Sequence, residues 1–258
     1  MMQRISVVLA VFNEEDNLKN CLESVKALAW EIIIVDGGSQ DRTLDVAYKF
    51  GAKIIKTNNP PVFHINKNKA IDAAGGDWIL QLDADEVVTK ELINEIRKDV
   101  SKESDINGYW IPRKNFFLGQ YLTKGGQYPD LTLRLYRKGK GRLPAKDVHE
   151  QAEVEGKVGY LKNDLLHLRD KNFTTYMERF NRYTELLAFQ LKEAGVNRNI
   201  FSLVDYLFMK PTYWFLKIYI RHRGYVDGFP GFIFALFSSL RFSVAYIKYW
   251  IHYENSNK

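Results

Sequence analysis

Several common kinds of site are absent from this sequence because their residues are missing. Its 258 residues include one cysteine, Cys21. That excludes a disulfide framework and a cysteine-rich metal site, and it fits a reducing compartment. Neither GxGxxG nor a P-loop occurs, which argues against a dinucleotide or ATP cradle. There is no internal repeat and no low-complexity linker. The opening "MMQRISVVLAVFNEE" has a short apolar run followed by acids. It lacks the long apolar region and small-residue cleavage site of a signal peptide, so it reads as a first strand.

With 46% hydrophobic and 14% aromatic residues, the chain can bury one large core or a core plus an appendage. The net charge of +6 is uneven. Residues 1–170 carry 25 Lys+Arg against 25 Asp+Glu, whereas residues 171–258 carry 12 against 6. The tail alone is basic, which suggests an acidic partner surface.

Over the first hundred residues, strand-like and helix-like segments alternate. Apolar runs at Ile5–Val11, Glu31–Val35, Ala52–Lys56 and Trp78–Leu82 read as strands. Helices are expected at Glu14–Leu28 (capped by Asn13), Asp41–Phe50, Ile65–Ala74 and Lys90–Val100. This pattern predicts an α/β fold with a mostly parallel sheet covered on both faces. Residues 105–168 read as further strands of a mixed or antiparallel extension. From Phe173 the pattern is helical and aromatic, with Pro211 and the Gly224/Gly228/Pro230/Gly231 cluster dividing it.

In a parallel sheet, ligands sit beyond the carboxyl ends of the strands. Asn13, Asp36 and the acidic stretch "LDADE" (Leu82–Glu86) all fall there. Strand alternation would put Asp83 and Asp85 on one side and the small Ala84 opposite. Two such close carboxylates repel unless they share a cation, and oxygen ligands suit Mg²⁺ or Mn²⁺. In "DGGSQD" (Asp36–Asp41) the glycines permit close backbone approach, and the helix that follows offers free N–H groups; an ordinary βα turn is the plainer alternative.

The stretches "VVLAVFNEEDNL", "IIIVDGGSQDRT" and "AGGDWILQLDADE", in this order and spacing, resemble a family 2 glycosyltransferase of the GT-A fold over residues 4–90. The later "YPDLTLRLYRKGKGRLPAKDVHE" and "NRYT", with the aromatic tail, resemble the bacterial lipopolysaccharide-core glucosyltransferase subgroup. The resemblance implies a Rossmann-like catalytic domain at 1–170, with a nucleotide-sugar half (about 1–100) and an acceptor and metal half (about 101–170). A helical region, 171–258, would follow. It also implies a nucleotide-sugar donor, usually a UDP-sugar, inversion at the anomeric carbon, and a glycan or lipid-linked acceptor. Residues Val11 to Glu14 and Asp36 would hold the nucleobase and ribose, with Lys67 and Asn68 near the donor. Asp83 would face the ribose beside Ala84, and Asp85 would ligate the metal.

Inversion needs a general base for the acceptor hydroxyl. Glu150 in "DVHEQ" is the first candidate and Asp130 in "YPDL" the second; a surface carboxylate and a turn residue are their plainer readings. His167 and His149 are candidate further metal ligands, although a lone strand histidine more often completes a hydrogen-bond network. Arg134 and Arg137 alternate with hydrophobics and have the chemistry to reach diphosphate oxygens. The glycines of "TKGGQYP" would let that loop move over the donor.

Phe229–Ile251 is long enough to span a bilayer, but Arg241 and Lys248 make spanning costly, at roughly 3 kcal/mol each near the bilayer centre. These two share a helical stripe with Ser238 and His252, so an interfacial helix is expected, with residues 201–253 against a membrane surface. Packing onto the catalytic domain or a homo-oligomer interface is the alternative. The weak basic excess and the absence of an RNA-binding motif argue against nucleic acid. Taken with the family resemblance, these features imply a hexosyltransferase peripheral to the cytoplasmic face of the inner membrane. Two other readings stay open. One is an inactive sugar-nucleotide-binding scaffold. The other is a sugar nucleotidyltransferase, disfavoured because "VFNEEDNL" is acidic and has no glycine.

Overall fold

The structure is a computed structural model that describes residues 3–60, 63–144 and 151–252. The chain forms two compact units, Met1–Arg113 with Asp130–Leu168, and Lys114–Pro129 with Arg169–Lys258. The first unit begins β1 (Ile5–Val11), α1 (Glu15–Val25), β2 (Glu31–Asp36), α2 (Thr43–Lys49), β3 (Lys53–Lys56), α3 (His64–Asp72) and β4 (Trp78–Leu82). It continues through β5 (Glu86–Val88) and α4 (Lys90–Val100). β1 pairs in parallel with β2 and β4, and β2 with β3. Parallel neighbours need crossovers, and α1 to α3 supply them.

The remaining strands are β6 (Ile106–Phe117), β7 (Gln120–Tyr121), β8 (Asp130–Arg137), β9 (Gly141–Arg142), β10 (Glu153–Val154), β11 (Lys157–Tyr160) and β12 (Leu165–Asp170). β8 runs antiparallel to β4, and β6 antiparallel to β8. The main sheet has the order β3-β2-β1-β4-β8-β6-β12-β5, with β7 and β11 on β6, while β9 and β10 form a separate pair. The parallel sheet continues into a mixed extension, antiparallel except that β11 runs parallel to β6, within what the sequence pattern predicts.

Alternation along the strands sends side chains to two cores. Val7, Leu9, Ile34, Leu80 and Leu82 pack with Leu18, Leu22, Leu92 and Ile96 of α1 and α4. Val8, Ile33, Val35 and Ile79 pack with Ala70 and Ile71 of α3 on the opposite face. Burial on both faces explains why these strands read as unbroken apolar runs. α4 begins at Lys90, where the Thr89 hydroxyl accepts from Leu92 N (3.2 Å). Asn13 does not cap α1. It takes a left-handed φ of 54°, and Glu14 precedes the first helical residue.

In the second unit, α5 (Phe173–Glu193) is followed by α6 (Ile200–Val204), a π-helical turn (Asp205–Met209), α7 (Lys210–Phe215) and a second π-helical turn (Leu216–Arg221). These last four run end to end, so Pro211 does not divide the helix as expected. Proline lacks the N–H and would clash in a regular α-helix; the adjoining turn widens instead. On α8 (Gly228–His252), the Ser243 hydroxyl donates to the carbonyl of Tyr206 (3.2 Å). A short 3₁₀ turn, Gly224–Asp227, leads into α8.

α8 is the spine of this unit. Tyr246 and Tyr249 pack with Ala188 of α5 and with Leu203, Tyr206 and Leu207. Tyr176 packs with Phe117 and Leu122, joined by Phe234 and Phe237. Among the described residues, Gly224–His252 is the one helical stretch long and apolar enough to cross a membrane, by length and composition only.

Candidate active site

The carboxyl ends of β1 and β2 lie side by side, with Val11 opposite Asp36. The loops beyond them are laced together. Asn13 N donates to Ser39 Oγ (2.9 Å), and Asn13 Oδ1 accepts from Gln40 N (2.8 Å). Glu14 N donates to Thr43 Oγ1 (2.7 Å). The Asp36 carboxylate, 1% exposed, accepts from Gly38 N (3.1 Å) and Ser39 N (3.2 Å). Glycine is required at position 38, where φ is 92°. Burial pushes the Glu14 carboxyl up against the opposing Asn17 amide, and Asp85 and Asp83 push it further.

The acidic stretch leaves β4 at Leu82, and Asp83–Asp85 form a turn before β5. Strand alternation therefore does not apply, and the two aspartates meet different partners. Asp83 accepts an ion pair from Lys67 on one oxygen and from Arg134 (2.5 Å) on the other. Arg134 also reaches Glu86 (2.8 Å), which is fully buried. Glu86 accepts from the backbone N of Asp83 (2.9 Å), and Arg113 approaches it at 3.3 Å. Arg113 makes its shorter bonds to Asp130, at 2.9 Å and 2.7 Å. Arg113 and Asp130 are cross-strand partners on β6 and β8.

This network answers the charge problem that the sequence poses. Three carboxylates (Asp83, Glu86, Asp130) interleave with three cations (Lys67, Arg113, Arg134). Burial alone would raise the Asp83 carboxyl, but Arg134 and Lys67 outweigh it and hold it well below the usual range. Burial pulls the Lys67 ammonium down, only partly offset by Asp83. For Arg134, burial works against the charge, yet Asp83 and Glu86 raise its pKa above the ordinary value.

Asp85 faces away from this cluster toward β12. Leu168 N donates to its carbonyl (2.8 Å), and its carboxylate lies 3.3 Å from His167 Nε2. The antiparallel pairing of β12 with β5, which sets His167 opposite Glu86, brings the histidine there. Ala84 is buried in the core between the two aspartates. Asp85 and His167 are an oxygen and an imidazole donor at a spacing that one ion can bridge. No group of three or more His, Cys, Asp or Glu able to hold a metal occurs among the described residues. Mg²⁺ and Mn²⁺ sites at phosphates commonly take one or two protein carboxylates and complete their shell with substrate oxygens and water.

Other expected residues stand apart. The Asn68 amide exchanges two hydrogen bonds with the backbone of Leu143 (2.9 and 3.1 Å). Arg137 sits at the far end of β8, opposite Trp78, with its guanidinium 4.8 Å from that ring and bonded to the carbonyls of Ile106 and Ser104. It does not reach the carboxyl edge of the sheet. Glu150 and His149 lie outside the described residues. Arg113 is the residue whose part the sequence conceals. Its signal is the Arg113–Asp130 register, which requires the β6–β8 pairing to be known.

In the "TKGGQYP" loop, buried Asp227 accepts from Thr123 N (3.0 Å), Thr123 Oγ1 (2.6 Å) and Lys124 N (2.8 Å). Gly125 N donates to His222 O (2.9 Å). The first half of the loop is tethered within its unit, so it is not the free flap its glycines suggest.

Residues 6–152 match the family described as Glycosyl transferase family 2. The chain is 31% identical over 238 residues to the lipopolysaccharide core biosynthesis glycosyltransferase LpsC of Rhizobium meliloti, covering 90% of this chain and 86% of that protein. It is 27% identical over 255 residues to the uncharacterized glycosyltransferase RT0209 of Rickettsia typhi, covering 93% and 85%. Among solved structures it resembles the mannosyltransferase PcManGT of Pyrobaculum calidifontis, in complex with GDP-Man and Mn²⁺. The TM-score is 0.53 at 12% identity, over 98% of this chain and 88% of that one. The architecture is thus GT-A-like, and the chain belongs to glycosyltransferase family 2. Within the family it resembles the lipopolysaccharide-core enzymes.

Proposed function

We propose that the protein transfers a hexose, with glucose the first to test, from a UDP-sugar to a lipopolysaccharide-core or other lipid-linked envelope glycan, with inversion. The observation that carries this reading is the arrival of Asn13, Asp36, Asp83 and Asp85 at the carboxyl ends of β1, β2 and β4 in a family 2 member. Val11 to Glu14 and Asp36 line the place for uracil and ribose. Lys67 and Arg134 hold Asp83 ionised, so that it accepts from ribose hydroxyls. Asn68 holds the Leu143 backbone beside this cluster.

Asp85 and His167 would hold Mg²⁺ or Mn²⁺, with His149 a further candidate outside the described residues. Such an ion supplies neutralisation of the charge that develops on the leaving diphosphate. Glu150 is the proposed base for the acceptor hydroxyl. Asp130 is the second candidate; Arg113 donates twice to its Oδ2, at 2.9 and 2.7 Å. The catalytic domain of this reading is residues 1–170, and residues 171–258 carry the attachment to the cytoplasmic face of the inner membrane, through 201–253. No nucleic acid partner is invoked, and self-association is the competing use of the tail.

Metal-dependent UDP release from a panel of UDP-sugars tests the reading. Asp85→Ala is expected to lower turnover by about two to three orders of magnitude, and Glu150→Gln by a similar factor. Unchanged turnover in either variant removes the role given to that residue. Binding of a UDP-sugar without release from any donor supports a scaffold instead.

A further inference from the structure

Within residues 201–253, the stretch proposed to meet the membrane, the helices differ in what they leave exposed. The basic stripe of α8 is consumed inside its own unit. Lys248 Nζ reaches Asn181 O (2.8 Å) and Glu185 (3.2 Å) on α5, and Arg241 lies 5.3 Å from the Trp214 ring and 4.8 Å from that of Phe242.

Along the helical run from Ile200 to Arg221, by contrast, Phe201, Val204, Phe208, Met209, Tyr213, Leu216 and Ile220 are all exposed. Apart from the adjacent Phe208 and Met209, they recur every three or four residues and so form one outer stripe. The inner side of the same run, Leu203, Tyr206 and Leu207, packs against Tyr246 and Tyr249. The stripe continues into Tyr225, Val226 and Phe229, the last 71% exposed.

Charge on this surface has one sign. Arg221 and Arg223 are exposed and form no ion pair among the described residues. The two acids of the segment are engaged: Asp205, half-exposed, pairs with Lys210 (2.8 Å), and Asp227 is buried under Thr123 and Lys124. Lys217 lies over the Trp214 ring at 4.3 Å, its stem along the apolar surface. Apolar side chains edged by cations, with no free acid, complement an anionic lipid headgroup layer over hydrocarbon.

We propose that the outer face of residues 201–229, rather than the stripe of α8, is the surface on which the protein docks to an anionic bilayer. The inference rests on the membrane reading, and its readout is independent of sugar transfer.

Flotation of the full chain with phosphatidylcholine vesicles, with and without phosphatidylglycerol, measures it. Binding should require the anionic lipid. Arg221→Ala with Arg223→Ala should lower partition on the order of tenfold. Phe201→Ser, Phe208→Ser and Leu216→Ser together should abolish it, with the circular dichroism spectrum and UDP release to a soluble acceptor retained. Lys248→Ala should leave partition unchanged. Absence of vesicle binding by the unaltered chain overturns the proposal. So does loss of binding in Lys248→Ala while the apolar variant still floats. If the apolar variant instead dissociates an oligomer and vesicle binding is unaffected, the face joins two copies of this chain and the proposal fails. Failure of UDP release with vesicle binding intact counts against the transferase reading alone.

Discussion

The two units treat charge in opposite ways. At the sheet edge of the first, six charged side chains pair among themselves, and Glu86 and Arg134 are shielded from water. In the second unit, Arg221 and Arg223 stand in solvent beside exposed aromatics. A buried ion pair stabilises little net but is costly to break, because the survivor is left desolvated and unpaired. An exposed cation beside apolar surface contributes to the fold hardly at all, and its worth lies in a partner. Stability should therefore depend on the first set and association on the second.

The largest effect that sharpens this contrast is expected at Glu86. Glu86→Ala leaves buried Arg134 with Asp83 as its anionic partner and weakens Arg113, and should cost about 3 kcal/mol in chemical denaturation. A loss below about 1 kcal/mol would mean that solvent reaches the network, and the contrast would break. Asp227→Ala comes next. It removes three hydrogen bonds to Thr123 and Lys124 and should cost about 2–3 kcal/mol. Hydrogen exchange should rise in residues 120–126, and an unchanged exchange pattern would show that the tether is dispensable.

The smallest effect concerns pH. A carboxyl depressed in the folded state stabilises the fold above its unfolded value of about 4, and this contribution is lost as pH falls through the depressed folded value. Arg134 and Lys67 depress Asp83 against its burial, so the sign is loss on acidification. Asp83→Asn should flatten the decline in stability below about pH 4, followed by denaturant midpoints across the acid range. An identical slope in both proteins would assign the acid sensitivity elsewhere.

Much of the first unit was legible because local pattern and tertiary environment agree there. The apolar runs became β1 to β4, and Lys90–Val100 became α4 to the residue, since Thr89 caps it and its four buried positions follow helical spacing. The edge holding Asn13, Asp36, Asp83 and Asp85 followed from strand order alone. The partners of those residues did not follow. Lys67 reaches Asp83 from α3, Arg134 from β8 and Arg113 from β6, over separations of 16, 51 and 27 residues along the chain from Asp83 or Glu86. No periodicity encodes such pairings. The geometry of "LDADE" departs from strand alternation for the same reason: a strand ends where its hydrogen-bonding neighbours end, and β4 stops at Leu82.

In the tail, composition announced an aromatic, basic helical region but could not say which side faces outward. Both α8 and the run from Ile200 to Arg221 carry apolar residues on more than one side, so the moment of either helix is ambiguous. Packing decided it, turning Lys248 toward Glu185 and leaving Phe208 and Leu216 uncovered.

By itself the sequence determined the order of strands and helices, the carboxyl-edge location of the acidic residues and the asymmetry of charge, because each depends on nearest neighbours or on composition. Tertiary structure alone decided that Lys67 and Arg134 bind Asp83, that His167 faces Asp85, and that the outward face of the tail lies at 201–229. Those outcomes depend on which distant segments share a sheet or a core.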